Sequence, residues 1–342
     1  MMDTYKCSSP GKVILAGEHA VVHGYPAIAS AINMRMAMQL HMLDEPSYEI
    51  KLPDIGVSVH SGSLDSFLLS VLDAFPLFNG VYDLLNEESR ESAAARDRDP
   101  EKHGFSIVAR SGIPVSAGLG SSASTCICLL KSLSTWLGLD IETERLLDLG
   151  KTAEKTFHSN PSGIDTAAAV QGGMFLFEGG KIVERIAGPI DLDGDIIIVD
   201  TGIQRNTGRM VDLVKRLMAR DSNFVQERFD VIGDVVREEW VLLQSRKVDI
   251  LALGNLFSRN QHELEMLNVS VPTIKDVIDI GTRNGATGGK LTGAGGGGCV
   301  ILASPSKKTK KIIGALHHWK FRAFKTEFTS KGLECQLIEG DI

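Results

Sequence analysis

Between Pro114 and Ser124 the chain reads PVSAGLGSSAS, and at Ser121 this glycine- and serine-rich turn enters an apolar-periodic run that ends near Gly138. Such a turn dictates what can surround it. Glycines let backbone N–H groups converge, the first turn of a helix leaves donors without partners, and its dipole favours negative charge. The hydroxyls of Ser121 and Ser122 stand beside that cradle, and one of them could ligate a hard cation such as Mg²⁺. A glycine turn that merely caps a helix has the same local pattern. GLGSSA also fits the dinucleotide fingerprint G-x-G-x-x-A, with Asp140 downstream, but Pro114 and polar residues stand where a buried strand should lead into the turn. The Walker pattern G-x-x-x-x-G-K-[ST] is absent from the sequence.

Three further stretches carry chemistry. Ser9 to Gly24 reads SPGKVILAGEHAVVHG, with Lys12 just before an apolar strand and Glu18-His19 just after it. Gly288 to Cys299 reads GGKLTGAGGGGC, in which seven of twelve residues are glycine, a composition suited to close backbone approach. A flexible linker is the plain alternative, but Lys290, Thr292 and the strand that follows argue against one. Between them, EKTFHSNPSGID places Glu154 at a helix end and Asp165 in the first turns of the next element, so that two carboxylates approach one cleft from different directions.

At 342 residues the chain exceeds one ordinary domain, which predicts two lobes sharing a cleft. Apolar residues at 43% and charged residues at 23% fit a globular enzyme rather than a disordered chain. The net charge of −7 gives no global attraction for nucleic acid or anionic lipid, so any phosphate site must be local. No apolar run approaches the ~18 residues of a membrane span. Cys7, Cys126, Cys128, Cys299 and Cys335 lack metal-ligand spacing and are expected as reduced, structural thiols. The first nine residues lack the features of a secretory signal, so a cytoplasmic location is expected, with an organelle not excluded.

Periodicity predicts strands over 13–17, 27–32 and 36–43, a core-facing helix over 63–79, and a solvated helix end plus loop over 86–103. Helices are expected from Ser121 and over 142–158, then strands at 173–177, 182–186 and 195–200. Further helices are expected over 207–220, 224–246, 272–284 and 307–319, with strands at 299–303, 322–328 and 334–339. The change of domain falls near Gly188 to Gly194, giving domains of 1–190 and 191–342.

Taken together, in this order and spacing, the four stretches resemble the GHMP superfamily, which takes in galactokinase, homoserine kinase, mevalonate kinase and phosphomevalonate kinase. GEHAVVHGYPAIA, HSNPSGIDTA and KLTGAGGGGC are most similar to its mevalonate-phosphorylating branch. The resemblance implies an α+β fold, with a mixed sheet and helices in the N-terminal domain, a ferredoxin-like C-terminal domain, and the active site in the cleft between them. It implies an ATP-dependent small-molecule kinase that moves the γ-phosphoryl group of ATP to the C5 hydroxyl of mevalonate. Pro114, Ser116, Ala117, Gly118, Leu119, Gly120, Ser121, Ser122, Ala123 and Ser124 match the ATP-binding loop, and Thr292, Gly293, Ala294 and Gly295 a glycine-rich turn near the phosphates. Asp165 matches the catalytic base and Lys12 its neighbouring cation; Glu18, His19 and Thr207 match substrate contacts, and Ser122 and Glu154 match Mg²⁺ ligands. Ser116 replaces a common glycine, and Gly208 displaces an arginine that usually follows the threonine, leaving Arg209 one place further on. A homodimer and inhibition by prenyl diphosphates at the nucleotide site are further expectations of the resemblance.

Overall fold

The computed structural model describes residues 3–91, 99–114, 117–157, 163–186 and 188–338. Strands β1 (Thr4–Ala16), β2 (Ala27–Met42), β3 (Tyr48–Leu52) and β4 (Val57–Ser61) come first, followed by helices α1 (Leu64–Ala74) and α2 (Pro76–Glu91). Then follow β5 (Phe105–Ser111), α3 (Ser121–Trp136), α4 (Thr143–Phe157), α5 (Ile164–Gln171), β6 (Met174–Glu178) and β7 (Lys181–Ile186). The second half holds β8 (Asp195–Asp200), α6 (Thr207–Arg220), α7 (Ser222–Leu243), α8 (Ile250–Met266), α9 (Pro272–Arg283), β9 (Gly288–Leu291) and β10 (Cys299–Ser304). It closes with α10 (Ser306–His318), β11 (Arg322–Thr326) and β12 (Glu334–Ile338).

Two sheets organise these elements among the described residues. The larger runs β12-β1-β2-β5-β3-β4, with β6 on β2 and β7 on β6. The smaller runs β11-β8-β10-β9, every pair antiparallel. In chain order that is 4-1-3-2, the ferredoxin-like arrangement expected of the second half. β12 leaves its own half and pairs with β1 in the first sheet.

Several expectations change in length rather than kind. The strands expected at 27–32 and 36–43 are one, because β2 gives its first residues to β6 and its last to β5. The helix expected over 63–79 breaks at Phe75, whose extended backbone precedes Pro76; proline crowds the α conformation of the residue before it and then starts the next helix without needing an N–H. α2 then runs through Glu91, into the segment expected to hold only a helix end. The cysteine expectation needs correcting. Cys7 and Cys335 face each other across the β1–β12 register and form a disulfide, while Cys126, Cys128 and Cys299 are free and buried. A pairing of residues 328 positions apart has no local signal.

The main core fills the space between the large sheet and α1 to α4, where Tyr48, Phe67, Phe78, Phe105 and Trp136 pack edge to face or stacked. Each such buried aromatic is worth about 1.5–3 kcal/mol or more in removed apolar area. The same cluster continues into α7 and β10 through Val235, Val236 and Ile301, which packs the two halves together. Among the described residues no helix is long and apolar enough to cross a membrane.

Candidate active site

The turn before α3 is bound to both halves of the molecule. Lys12 N donates to Leu119 O at 2.8 Å, Lys12 Nζ to Gly118 O at 3.1 Å, and Cys299 N to Ala117 O at 2.9 Å. Gly120 stands before the helix at φ 76° and no side chain caps α3, so its first-turn N–H groups are not taken up by a side-chain cap. Ser121 is half-buried and Ser122 exposed at that mouth. Other loop positions serve packing: Leu119 and Ala123 are buried, and Ser124 Oγ donates inward to Pro10 O at 2.6 Å. Pro114 is half-buried at the start of the turn; Ser116, with the turn 158–162, lies outside the described residues.

Lys12 lies on β1 directly beneath this turn, and Asp165 occupies the first turn of α5 after the left-handed Gly163. Their side chains form an ion pair, Lys12 Nζ to Asp165 Oδ1, of 2.9 Å. The lysine is 2% exposed and the aspartate 31%, so the buried cation is held by a carboxylate that still faces a cavity. That cavity, about 140 Å³, is lined by Lys12, Asp165, Glu154, His19, Arg205 and Thr207. Gly293 and Ala294 close its side, whereas Gly295 does not reach it.

Glu154, on α4, has chemistry suited to a metal. It is buried, and its Oε2 has no hydrogen-bond partner. Burial first, then the nearby charge of Asp165, push its carboxyl up to about 7. An orphaned carboxylate oxygen of this kind is stabilised by a hard divalent cation, and the Ser122 hydroxyl lines a cavity with Glu154. No cluster of three or more His, Cys, Asp or Glu side chains among the described residues could hold a metal unaided. The pair therefore fits an ion that takes its remaining ligands from phosphate oxygens and water.

His19 adopts a left-handed backbone at φ 62° and its Nε2 donates to Ala294 O at 2.8 Å. Burial holds its imidazole below the ordinary value, so at neutral pH Nδ1 is an acceptor. Glu18, beside it, is already engaged: one oxygen pairs with Lys290 Nζ and the other accepts from Asn260 Nδ2 at 2.8 Å. Thr292 is also engaged, since its Oγ1 accepts from Ile14 N at 2.8 Å and donates to Ile14 O at 3.1 Å. Thr207 opens α6 on the cavity wall, while the exposed Arg209 lies off it.

Sequence reasoning missed two parts of the site. One is Arg205, whose guanidinium fills the gap between the two glycine turns; a Cβ at Gly118 or Gly293 would stand 3.1 or 3.0 Å from it. No acidic side chain among the described residues pairs with it. The second part is an apolar cavity of about 320 Å³ between Leu52, Ile55, Phe75, Leu77 and Ala109, opening at Ser121, Ser122 and Glu154. Its walls come from β2 to β5 and the α1–α2 junction, so no single stretch signals it. An apolar slot beside an anion cradle suits a nucleoside base attached to phosphates.

The family model described as GHMP kinases N terminal domain matches residues 77–173, and that described as GHMP kinases C terminal matches 242–318. A mevalonate kinase of Thermococcus gammatolerans is 30% identical over 97% of this chain and 98% of its own length. The crystal structure of the Methanococcus jannaschii mevalonate kinase superposes with a TM-score of 0.78 at 28% identity, covering 95% of this chain and 98% of that one. That of the L. major mevalonate kinase in complex with R-mevalonate gives a TM-score of 0.75 at 24% identity, with 96% of each chain covered, and so likens the fold. The uncapped helix behind a glycine turn, the buried lysine–aspartate pair and these likenesses agree, and the chain belongs to the GHMP kinase family.

Proposed function

We propose that this protein is an ATP-dependent kinase that transfers the γ-phosphoryl group of ATP to the C5 hydroxyl of mevalonate, giving 5-phosphomevalonate and ADP for isoprenoid and sterol synthesis. The observation that carries the reading is the Lys12–Asp165 pair, set beneath an uncapped helix N-terminus and open to a cavity of substrate size. Asp165 accepts the hydroxyl proton as the C5 oxygen bonds to γ-phosphorus and the bond to the ADP oxygen breaks. Lys12 pairs with the base and offsets negative charge on the transferring group. His19 and Thr207 hold the alcohol, and Glu18 holds His19 in place. Arg205 lies between the two glycine turns, where transferred charge collects. Ser122 and Glu154 would hold Mg²⁺, which would offset phosphate charge and so lower its repulsion of an incoming oxygen.

The division into 1–190 and 191–342, a cytoplasmic location, a homodimer and competition by prenyl diphosphates at the nucleotide site belong to the same proposal. The apolar cavity beside Ser122 supports the last of these, since it would take an isoprenoid chain as readily as a base. Purified protein given Mg·ATP and, in turn, mevalonate, phosphomevalonate, galactose and homoserine tests the substrate. Mevalonate is expected to react at least tenfold better in kcat/KM than the others; preference for another member would overturn the assignment.

A further inference from the structure

Behind His19 lies a second buried ion pair, of Glu18 with Lys290, whose lysine the proposed chemistry does not use. Lys290 on β9 is fully buried, and its ammonium pairs with Glu18 while donating to Leu291 O at 2.8 Å and Ile14 O at 3.3 Å. Those three acceptors exhaust its protons. Close enough to feel the charge of both partners is Glu239 of α7, also fully buried, and neither of its carboxylate oxygens has a hydrogen-bond partner. Asn260 of α8 completes the group, giving its amide hydrogen to Glu18 and leaving its own carbonyl oxygen without a partner.

These side chains come from four separate places, and two of them, those of Glu18 and Lys290, lead along the chain to the reaction cavity. Glu18 is followed by His19, whose left-handed backbone costs about 1–3 kcal/mol and persists only where its surroundings enforce it. Lys290 is followed two residues later by Thr292, which clamps Ile14 of β1, and then by Ala294, which accepts from His19. The Glu18–Lys290 pair is thus the fastening between the turn that presents His19 and the strand that presents Gly293 and Ala294. Resting on the kinase reading for its consequences, we infer that Glu18, Lys290, Glu239 and Asn260 form a positioning cluster, in which Glu239 must stay uncharged for the Glu18–Lys290 pair to hold His19 and the Gly293–Ala294 turn in place.

The charge arithmetic supports this. With Glu239 protonated the cluster is neutral, one ammonium against one carboxylate. When Glu239 loses its proton, two carboxylates compete for one saturated ammonium in a site closed to water. Burial pushes the Glu239 carboxyl up to about 8, with Lys290 opposing the rise and Glu18 adding to it. Lys12, further along β1, acts on Lys290 in turn. The fastening is therefore intact at neutral pH and loosens as pH rises through about 8.

The test compares the intact wild-type protein with Glu239→Gln, which keeps the shape and cannot ionise. Wild type is expected to show KM for the alcohol rising severalfold between pH 7 and 9, and Glu239→Gln to lose that rise. A rise that survives in Glu239→Gln, or no rise in wild type, would overturn the inference. A readout independent of turnover accompanies it: ¹⁵N shifts of the His19 ring are expected to move with a midpoint near 8 in wild type and not in Glu239→Gln. Shifts that move alike in both proteins overturn the inference. Absence of mevalonate phosphorylation at pH 7 with the His19 shifts behaving as stated would defeat the kinase reading and leave the cluster standing.

Discussion

At Glu154 a buried oxygen without a partner and a carboxyl raised to about 7 describe a group whose charge needs a second cation besides Lys12. Glu154→Gln removes that charge at nearly constant shape, so the Mg²⁺ concentration giving half-maximal turnover should rise about 10–100-fold, measured by titrating Mg²⁺ at fixed ATP. An unchanged requirement would remove Glu154 as a ligand. Glu239 makes a different demand, on stability. Its folded value of about 8 lies above the ordinary 4.5, so the folded state binds the extra proton. Its contribution is then full below about pH 4.5 and falls away as pH rises through 8. In urea unfolding, Glu239→Gln should match wild type most nearly at pH 5 and exceed it at pH 9 by on the order of 3 kcal/mol. Equal curves at pH 9 would show that Glu239 carries no such cost.

Among the elements, the junction of the phosphate turn with α3 depends most on one residue. Gly120 has φ 76°, and a Cβ there would stand 3.1 Å from Lys12 Cγ. Gly120→Ala should destabilise the protein by about 1–3 kcal/mol and raise KM for ATP, since relief of the contact moves either Lys12 or the turn. Melting and steady-state kinetics on the one variant check both effects. That junction was legible in the sequence because its cause is local: a glycine turn and a serine-rich first helical turn adjoin in the chain. So was α6, where Asn206 caps the helix by accepting from Arg209 N at 2.9 Å and the apolar stripe is regular. α8 was not legible. Its buried face carries Asn260, Gln261 and Glu263, which break the apolar period because their partners are distant: Asn260 bonds to Glu18 and Gln261 accepts from Leu291 N at 2.9 Å. β1 was read as five residues and spans thirteen, because its first half is held by β2 and by β12 from the far end of the chain.

At the scale of the whole molecule, the site exists only because distant segments converge. Lys12 and Asp165 come from the first half, Arg205, Thr207 and the Gly293–Ala294 turn from the second, and the Cys7–Cys335 disulfide ties the returning strand β12 to β1. Lys12, His19, Glu154 and Asp165 stand at strand and helix ends that the sequence marks, and the structure gathers them around one cavity. Arg205, the Lys290 cluster and the apolar cavity are products of packing alone. In the proposed function, one acid facing one cradle carries phosphoryl transfer. Single-turnover transfer from Mg·ATP to mevalonate, measured in wild type and in Asp165→Asn at saturating ATP, examines that assignment directly. The variant should bind ATP within about threefold of wild type and transfer about 10²–10⁴ times more slowly. Transfer within tenfold of wild type would show that the proton leaves by another route.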